Sequence, residues 1–572
     1  MSNFLAFLKK YFKIIFLIYL SNIILMLYFI YILYIHDFNW FLSRSFKSII
    51  YSLVFEVVLI HLFYLFLKQK TKYFLYFYLV FAVLDFIFEG FLLLNYHTLI
   101  NPLLIQVLLD TNLRESYEFL ITFIGFKDLL SILGIVIAVF LVLKFLKNPK
   151  QTYPKIRKIF IIFYFIVIII LSVDFINKFF IKNDSFGALE RLNENALLRI
   201  LNKTYEFFGN DSLYGKYKSY IKNYENITQG YKGKVLLKEK IPYVVLIIGE
   251  STGRNHMSLY GYELDTNPRL KKLEKEGNLI KFDDVISPFA HTAASLLRVL
   301  TFASNEDKVW EDKLDLVDLF NLAGYKSIFI SNQEKASLPS SITSAIASRA
   351  NKSIFANSIT NDDKTIVSKY DEVLLPFAKE NLNNYDFFIF HLLGTHANYK
   401  YRYPKDFEKF SAKDINTSSL NTKQKQLVAE YDNAVLYNDF VVNEVFNLFK
   451  DKDSVIIYLS DHSESLYEDK GFLGHFKPSR FTAEIPFLII VSDTFKQNHK
   501  ELYEKIIKAK SKAFMSDDLI HALCTLGGGI MIKDYNATRD ILNPKFNEKR
   551  KRMLNQGVDY DKELKNEKAF AR

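Results

Sequence analysis

Six apolar residues run straight into a carboxylate in "YVVLIIGESTGRNHMSLYGY" (243–262), leaving Glu250 at the rim of a buried strand. A charge in that place needs a basic partner or a metal, because an unpaired carboxylate at the edge of a core is costly. Other strand-like runs end on similar groups. "YDFFIFHLLGTH" (385–396) delivers His391 and His396, and "SVIIYLSDHSES" (454–465) delivers the adjacent Asp461 and His462. His475 follows in "GFLGHF", a glycine-flanked loop able to fold back over the same edge. Carboxylates and imidazoles meeting at one sheet edge form an oxygen and nitrogen donor set suited to zinc or manganese. "SPFAHTAASLLRVLTF" (287–302) adds Thr292, placed at or near the start of a helical run. Backbone N–H groups and the helix dipole favour an anion there. A metal-bound threonine hydroxyl can be deprotonated and used as a nucleophile on phosphorus. Plainer roles exist for each residue: Asp461 and Thr292 as helix N-caps, His391 as a hydrogen-bonded core residue, and His256, His499 and His521 as ordinary histidines.

The elements that must position these groups are short apolar runs separated by polar, helix-like stretches: 243–249, 325–331, 385–394, 454–460 and 486–491. Runs without alternation, spaced by room for crossover helices, predict a sheet buried on both faces. The expectation is an α/β sandwich with a mainly parallel central sheet over 241–546, whose ligands lie at the carboxyl ends of the strands. The single cysteine, Cys524, excludes an intramolecular disulfide and a thiolate-rich metal site.

The first third of the 572-residue chain is of another kind. Five runs are long and apolar enough to span a bilayer, roughly Ile14–Ile35, Ser48–Leu67, Tyr73–Leu94, Asp128–Leu143 and Ile159–Ser172. Lysines precede the first run, "KQKTK" joins the second to the third, and 144–158 is basic without an acid. The positive-inside rule then places the N-terminus in the cytoplasm and everything after Asp174 outside. No cleavage site follows the first run, so it reads as a retained anchor. The net charge of +11 comes largely from residues beside these runs and does not point to nucleic acid. Glu56, His61, Asp85 and Glu89 lie within the second and third runs. An ion path is one reading, but no relay continues into the other helices, and hydrogen bonding between helices is favoured. Residues 100–120 read as an amphipathic segment on the membrane surface, with Thr111 and Glu115 four apart on one helical face. Residues 1–174 form the expected transmembrane domain and 175–240 a bridge of helices and loops, while 547–572 is charged enough to be a solvated tail.

Taken together, "GESTGRNHMSLYGY", "HTAASLLRVLTFAS", "HLLGTHANYKYRYP", "YDNAVLYNDF" and "SDHSESLY" resemble the lipid phosphoethanolamine transferases of Gram-negative inner membranes. The nearer likeness is to the branch that modifies lipid A and lipooligosaccharide core, the more distant to the mobile colistin-resistance enzymes. The resemblance implies five membrane helices, a bridge and a periplasmic alkaline-phosphatase-like domain. It implies a Zn2+ ion held by Glu250, Thr292, Asp461 and His462, with Thr292 as nucleophile. Phosphatidylethanolamine would be the donor, diacylglycerol the leaving product, and lipid A, a core sugar or a periplasmic protein the acceptor. His391, His396 and His475 match histidines that line the phosphoethanolamine pocket or hold a second zinc. Thr111 and Glu115 match a lipid-headgroup motif whose asparagine is replaced here by Val107. Relatives carry several disulfides, and this chain has one cysteine.

The alternatives are a phosphoglycerol transferase or phosphatase of the same superfamily using the same threonine. A sulfatase needs a cysteine or serine in a "CxPxR" setting, which "HTAASLLR" lacks. A transporter or scaffold with a dead enzyme-like domain is disfavoured by the intact Glu250, Thr292, Asp461 and His462 and by the absence of inverted repeats.

Overall fold

The computed structural model describes residues 2–34, 37–96, 98–111, 124–149, 189–209, 213–307, 309–333, 342–356, 369–475 and 477–569, with isolated positions at 116 and 120 and within 162–181. The chain divides into two compact units: Met1–Thr111 with Phe123–Gly215, and Asn112–Thr122 with Lys216–Arg572. The expected bridge is thus shared between them.

In the first unit, the described residues hold three stretches long and apolar enough to cross a membrane: Phe12–Tyr34, Phe38–Tyr96 and Phe126–Phe145. The first is helix α1. The second contains α2 (Phe38–Leu67) and α3 (Thr71–Tyr96), joined by a single tight turn at Lys68–Lys70, where "KQKTK" falls. Asp37 begins α2 by accepting a hydrogen bond from Trp40 N at 3.1 Å. Helix α4 (Pro102–Asp110) starts on the Asn101 cap with proline in its first turn, and α5 is Phe126–Phe145. The fifth expected run, Ile159–Ser172, lies mainly outside the described residues. Helix α6 (Ala196–Phe208) is capped by Asn195.

Residues 193–199 carry the polar side chains that meet the charges of α2 and α3. Arg199 donates from Nε to Glu89 at 2.9 Å, pairs with it again through Nη2, and donates to Asn193 O at 2.8 Å. Asp85 is 3.8 Å from the same guanidinium. Glu56 accepts from Tyr78 at 2.9 Å and Asn195 at 2.8 Å, and His61 stacks on Phe4 at 4.3 Å. These acids therefore join helices within the bundle, as buried charges must when water is absent.

The second unit is built on a seven-stranded sheet: β1 (Tyr243–Gly249), β2 (Leu279–Lys281), β3 (Ser327–Ser331), β4 (Lys352–Phe355), β5 (Phe387–His391), β6 (Ser454–Ser460) and β7 (Phe487–Val491). Their order across the sheet is β2-β7-β6-β1-β5-β3-β4. Val244 to Ile248 in the central strand are wholly buried, as a strand covered on both faces requires. From β6 through β4 the pairings are parallel, but β7 runs antiparallel to β6 and β2 antiparallel to β7. The sheet is therefore mixed, with β7 alone running against the other six strands. Among its described residues, the connection from β6 to β7 (461–486) holds the short antiparallel pair Ser465–Leu466 with Leu473–Gly474 and the four-residue helix Arg480–Ala483, but no helix long enough to cross a sheet face, and β7 folds back beside β6. Two further helices serve the site, α7 (Thr292–Val299) and the 28-residue α8 (Thr422–Phe449).

Charge alone puts 547–572 in solvent, yet Arg552, Leu554 and Tyr560 are buried. Arg552 bridges Asp284 at 2.6 Å and Asp561 at 2.5 Å, and Tyr560 donates to Glu484 at 2.6 Å.

Candidate active site

Glu250 follows the last residue of β1, and Asp461 and His462 follow β6, its parallel neighbour. Adjacent strands ending at the same level bring their next residues together, which is why ligands gather at this edge. The Glu250 backbone is clasped by the loop after β5: Thr395 N donates to Glu250 O at 3.0 Å. Gly394, at φ +56°, passes so close that a Cβ there would lie 2.7 Å from the same oxygen. Asp371 fixes that loop by accepting from Leu393 N at 2.8 Å and Gly394 N at 2.9 Å. Thr292 is the first residue of α7, behind His291 at the N-cap. Its hydroxyl lies 3.2 Å and 3.4 Å from the two Glu250 oxygens and 3.4 Å from His462 Nε2. His462 Nε2 is in turn 3.3 Å from Glu250 and 3.4 Å from Asp461 Oδ2. The four residues thus face one another around a common point, although Thr292 stands 42 positions from Glu250 and 170 from His462.

The donor set fits a cation. Glu250, Asp461 and His462 each offer an atom within 4.8 Å of the others, and all three are buried. Asp461 Oδ1 accepts from His462 N at 2.7 Å and Ser251 N at 3.1 Å, whereas Oδ2 has no hydrogen-bond partner among the described residues. His462 Nδ1 lies 2.9 Å from Ser463 O, which keeps a proton on that nitrogen and turns Nε2 inward, the nitrogen left to a cation once its own proton is lost. Burial raises the Asp461 carboxyl to about 8, with the Glu250 charge adding to it. Burial also opposes ionisation of Glu250 and His462. Hydrogen bonding and charge from His462 nonetheless hold Glu250 well below the usual carboxylate range, while Asp461 and Glu250 lift His462 to about 10. Two carboxylates share one imidazole, and the excess negative charge is what a divalent ion relieves.

His391, His396 and His475 surround this group, and each feels the Glu250 charge. His391 ends β5 with Nδ1 3.2 Å from Ser331 Oγ and its Nε2 without a hydrogen-bond partner among the described residues. The His475 ring sits 4.6 Å from that of His462. Burial lowers His391 to about 4 and His475 to about 3, so both are neutral at physiological pH and can accept or ligate. Glu464, present in the sequence beside Asp461 and His462, is the residue missed: it is buried, lies 3.6 Å from His475 Nδ1, and burial raises it to about 7. Nothing in its local pattern signals that burial; only its position three residues beyond a site aspartate does. Thr111 closes α4, its hydroxyl donating to Val107 O at 2.6 Å, and Glu115 lies outside the described residues. His499 and His521 have ordinary partners, Asp453 at 3.1 Å and Asn536 N at 3.3 Å.

Comparison with known proteins finds relatives of both the sequence and the fold. The phosphoethanolamine transferase EptC of Escherichia coli O18:K1:H7 (strain RS218 / NMEC) is 33% identical over 322 residues, covering 53% of this chain and 54% of that protein. The chain thus matches about half the length of this relative. The crystal structure of the C-terminal periplasmic domain of Escherichia coli EptC in complex with Zn covers 57% of this chain and 94% of that one, at 31% identity and a TM-score of 0.51. The fold extends further: the integral membrane lipooligosaccharide phosphoethanolamine transferase A of Neisseria meningitidis covers 92% of this chain and 97% of its own at 20% identity, with a TM-score of 0.61. The resemblance seen in the sequence motifs is borne out by these relatives. Residues 242–530 match the Sulfatase family model, and with half of its length inside that match the chain belongs to the Sulfatase family.

Proposed function

We propose that the chain transfers phosphoethanolamine from phosphatidylethanolamine to lipooligosaccharide, on lipid A or a core sugar, by way of a covalent phospho-threonine at Thr292. Glu250, Thr292, Asp461 and His462 are the residues that would hold a zinc ion. The observation that carries this reading is the Thr292 hydroxyl at the start of α7, within 3.4 Å of both Glu250 oxygens and His462. The names of the relatives supply the transferred group. A bound zinc ion acidifies a coordinated hydroxyl and offsets charge on phosphoryl oxygens.

The remaining chemistry belongs to the chain's own groups. Thr292 Oγ1 attacks phosphorus, the bond from phosphorus to the glycerol oxygen breaks, and diacylglycerol leaves with a proton. The backbone N–H groups opening α7 face the phosphoryl oxygens and stabilise their developing charge. An acceptor oxygen then attacks the same phosphorus from the opposite side, restoring the Thr292 hydroxyl. His391, His396 and His475 bind the phosphoethanolamine or hold a second zinc, and Thr111 and Glu115 recognise the lipid headgroup. The setting is a multi-pass inner-membrane protein with its catalytic domain in the periplasm.

The test is mass spectrometry of lipid A and core oligosaccharide from cells making wild type or Thr292→Ala. A phosphoethanolamine-sized addition is expected only with the wild type, and the fragment carrying it names the acceptor. An unchanged addition in the variant removes Thr292 from the reaction. No addition in either fraction, with the protein present, sinks lipooligosaccharide as acceptor and turns attention to a periplasmic protein or another headgroup.

A further inference from the structure

His256, which reads in sequence as an ordinary histidine, is only 3% exposed, and both ring nitrogens meet carboxylates. Nδ1 lies 2.7 Å from Asp432 on α8, and Nε2 lies 2.9 Å from Glu468. Asp432 is held from its other oxygen by the Tyr262 hydroxyl at 2.8 Å. The ring packs edge-on to Tyr431 at 5.1 Å and tilted against Tyr262 at 4.8 Å. Tyr431 ties the same loop down again, accepting from Gly253 N at 2.8 Å and donating to Ser251 O at 2.7 Å.

Glu468 sits at the tip of a small hairpin. Ser465–Leu466 pairs antiparallel with Leu473–Gly474, and this excursion leaves the site at Glu464 and returns to it at His475. The tip is an unfavourable piece of backbone. Tyr467 at φ +76° and Lys470 at φ +48° both occupy the left-handed region without being glycine. Such conformations persist only where surroundings over-determine them. Glu468 supplies that constraint: one oxygen folds back to accept from Leu466 N at 2.5 Å while the other meets His256.

We infer that His256 is a positioning residue for the proposed transfer, an imidazolium clamped between Asp432 and Glu468 that holds the Glu464–His475 hairpin over the catalytic edge. The inference rests on the proposed transferase reading, but its mechanical half does not. Only a doubly protonated ring can donate to two carboxylates at once; a neutral ring carries one N–H and presents a lone pair to the other acid. Asp432 and Tyr431 from α8, Glu468 from the hairpin and Tyr262 from the loop of His256 itself are the titratable groups that face the ring. Burial alone would lower the imidazole, but the charges and hydrogen bonds of the two acids outweigh it and lift the group to about 9. The clamp is therefore closed at neutral pH and releases in alkali.

The experiment uses the full-length protein in detergent, with wild type, His256→Gln, Glu468→Gln and the remote control His499→Gln. Amide exchange of residues 465–474 and diacylglycerol release from phosphatidylethanolamine micelles, with lipid A added as acceptor so that Thr292 is regenerated, are followed between pH 7 and 10. In the wild type, hairpin protection and kcat fall together with a midpoint near pH 9. In His256→Gln the hairpin exchanges faster at every pH without that midpoint, and kcat drops about 10- to 100-fold with a smaller change in KM. Glu468→Gln keeps the ring but removes one charge, so its midpoint moves toward neutral pH, and it decides the matter should His256→Gln not fold. His499→Gln matches the wild type. Unchanged protection and an unchanged alkaline limb in both clamp variants overturn the proposal, as does a loosened hairpin with wild-type kcat. A wild type that releases no diacylglycerol at any pH overturns the transferase reading instead, and exchange alone then decides whether the clamp exists.

Discussion

At the scale of single residues, the catalytic edge depends on close approaches that leave no room for change. Gly394 is the clearest case, since its left-handed backbone and its contact with Glu250 both exclude a side chain. Gly394→Ala is expected to lower stability by about 2 kcal/mol or more and to displace Glu250, so the melting temperature and transfer rate should fall together. His256 gives a pH-dependent prediction. Its folded value of about 9 lies above the ordinary imidazole value near 6.5, so its stabilisation is full below about pH 6.5 and is lost as pH rises through 9. Thermal melts of the wild type should therefore fall between pH 7 and 9.5 by more than those of His256→Gln; equal falls would show that the clamp contributes no linkage. The sequence pointed to Glu250, Asp461 and His462 because strand ends announce themselves as apolar runs terminating in a donor, and to Thr292 because it opens a helical run. His256 and Glu464 gave no such sign. Their character comes from partners such as Asp432 and Glu468, 176 and 212 positions from His256, and no local pattern encodes that distance.

At the scale of elements, apolar runs marked five of the seven strands but not their directions. The antiparallel β7 follows a connection from β6 that shows no crossover helix among its described residues, and β2 and β4 are too brief to stand out as runs. The charged end of the chain misled for a related reason: composition counts charges, while Arg552 is satisfied by Asp284, 268 positions away. In the first unit, α6 places Arg199 against Glu89 of α3 with both side chains buried. Arg199→Met leaves that carboxylate without its cation and should cost about 3–5 kcal/mol, read as a lower melting temperature in detergent. Adding Glu89→Gln to it should recover part of the loss; a double variant no better than Arg199→Met would show that the pair does not act as a unit.

At the scale of the whole molecule, metal occupancy should register in stability, because Glu250, Asp461 and His462 converge only in the folded chain. Zinc at about one hundred times its dissociation constant should stabilise the protein by about 2.7 kcal/mol, and a chelator should reverse the gain. Glu250→Ala should abolish the response; an equal shift in that variant would place the ion elsewhere. The strand order carries a consequence of another kind. The central strand β1 finds its two neighbours, β5 and β6, only after long stretches of chain have been made, and both pairings are parallel. Such closures are slow, because loop entropy must be overcome before any long-range contact stabilises the chain. Thr292 therefore cannot acquire its partners early: a nascent or half-folded chain holds a threonine, an acid and a histidine but no assembled site. On the proposed reading, reactivity toward lipid would arrive only once β6 docks, and an incompletely folded copy would leave the surrounding phospholipid untouched.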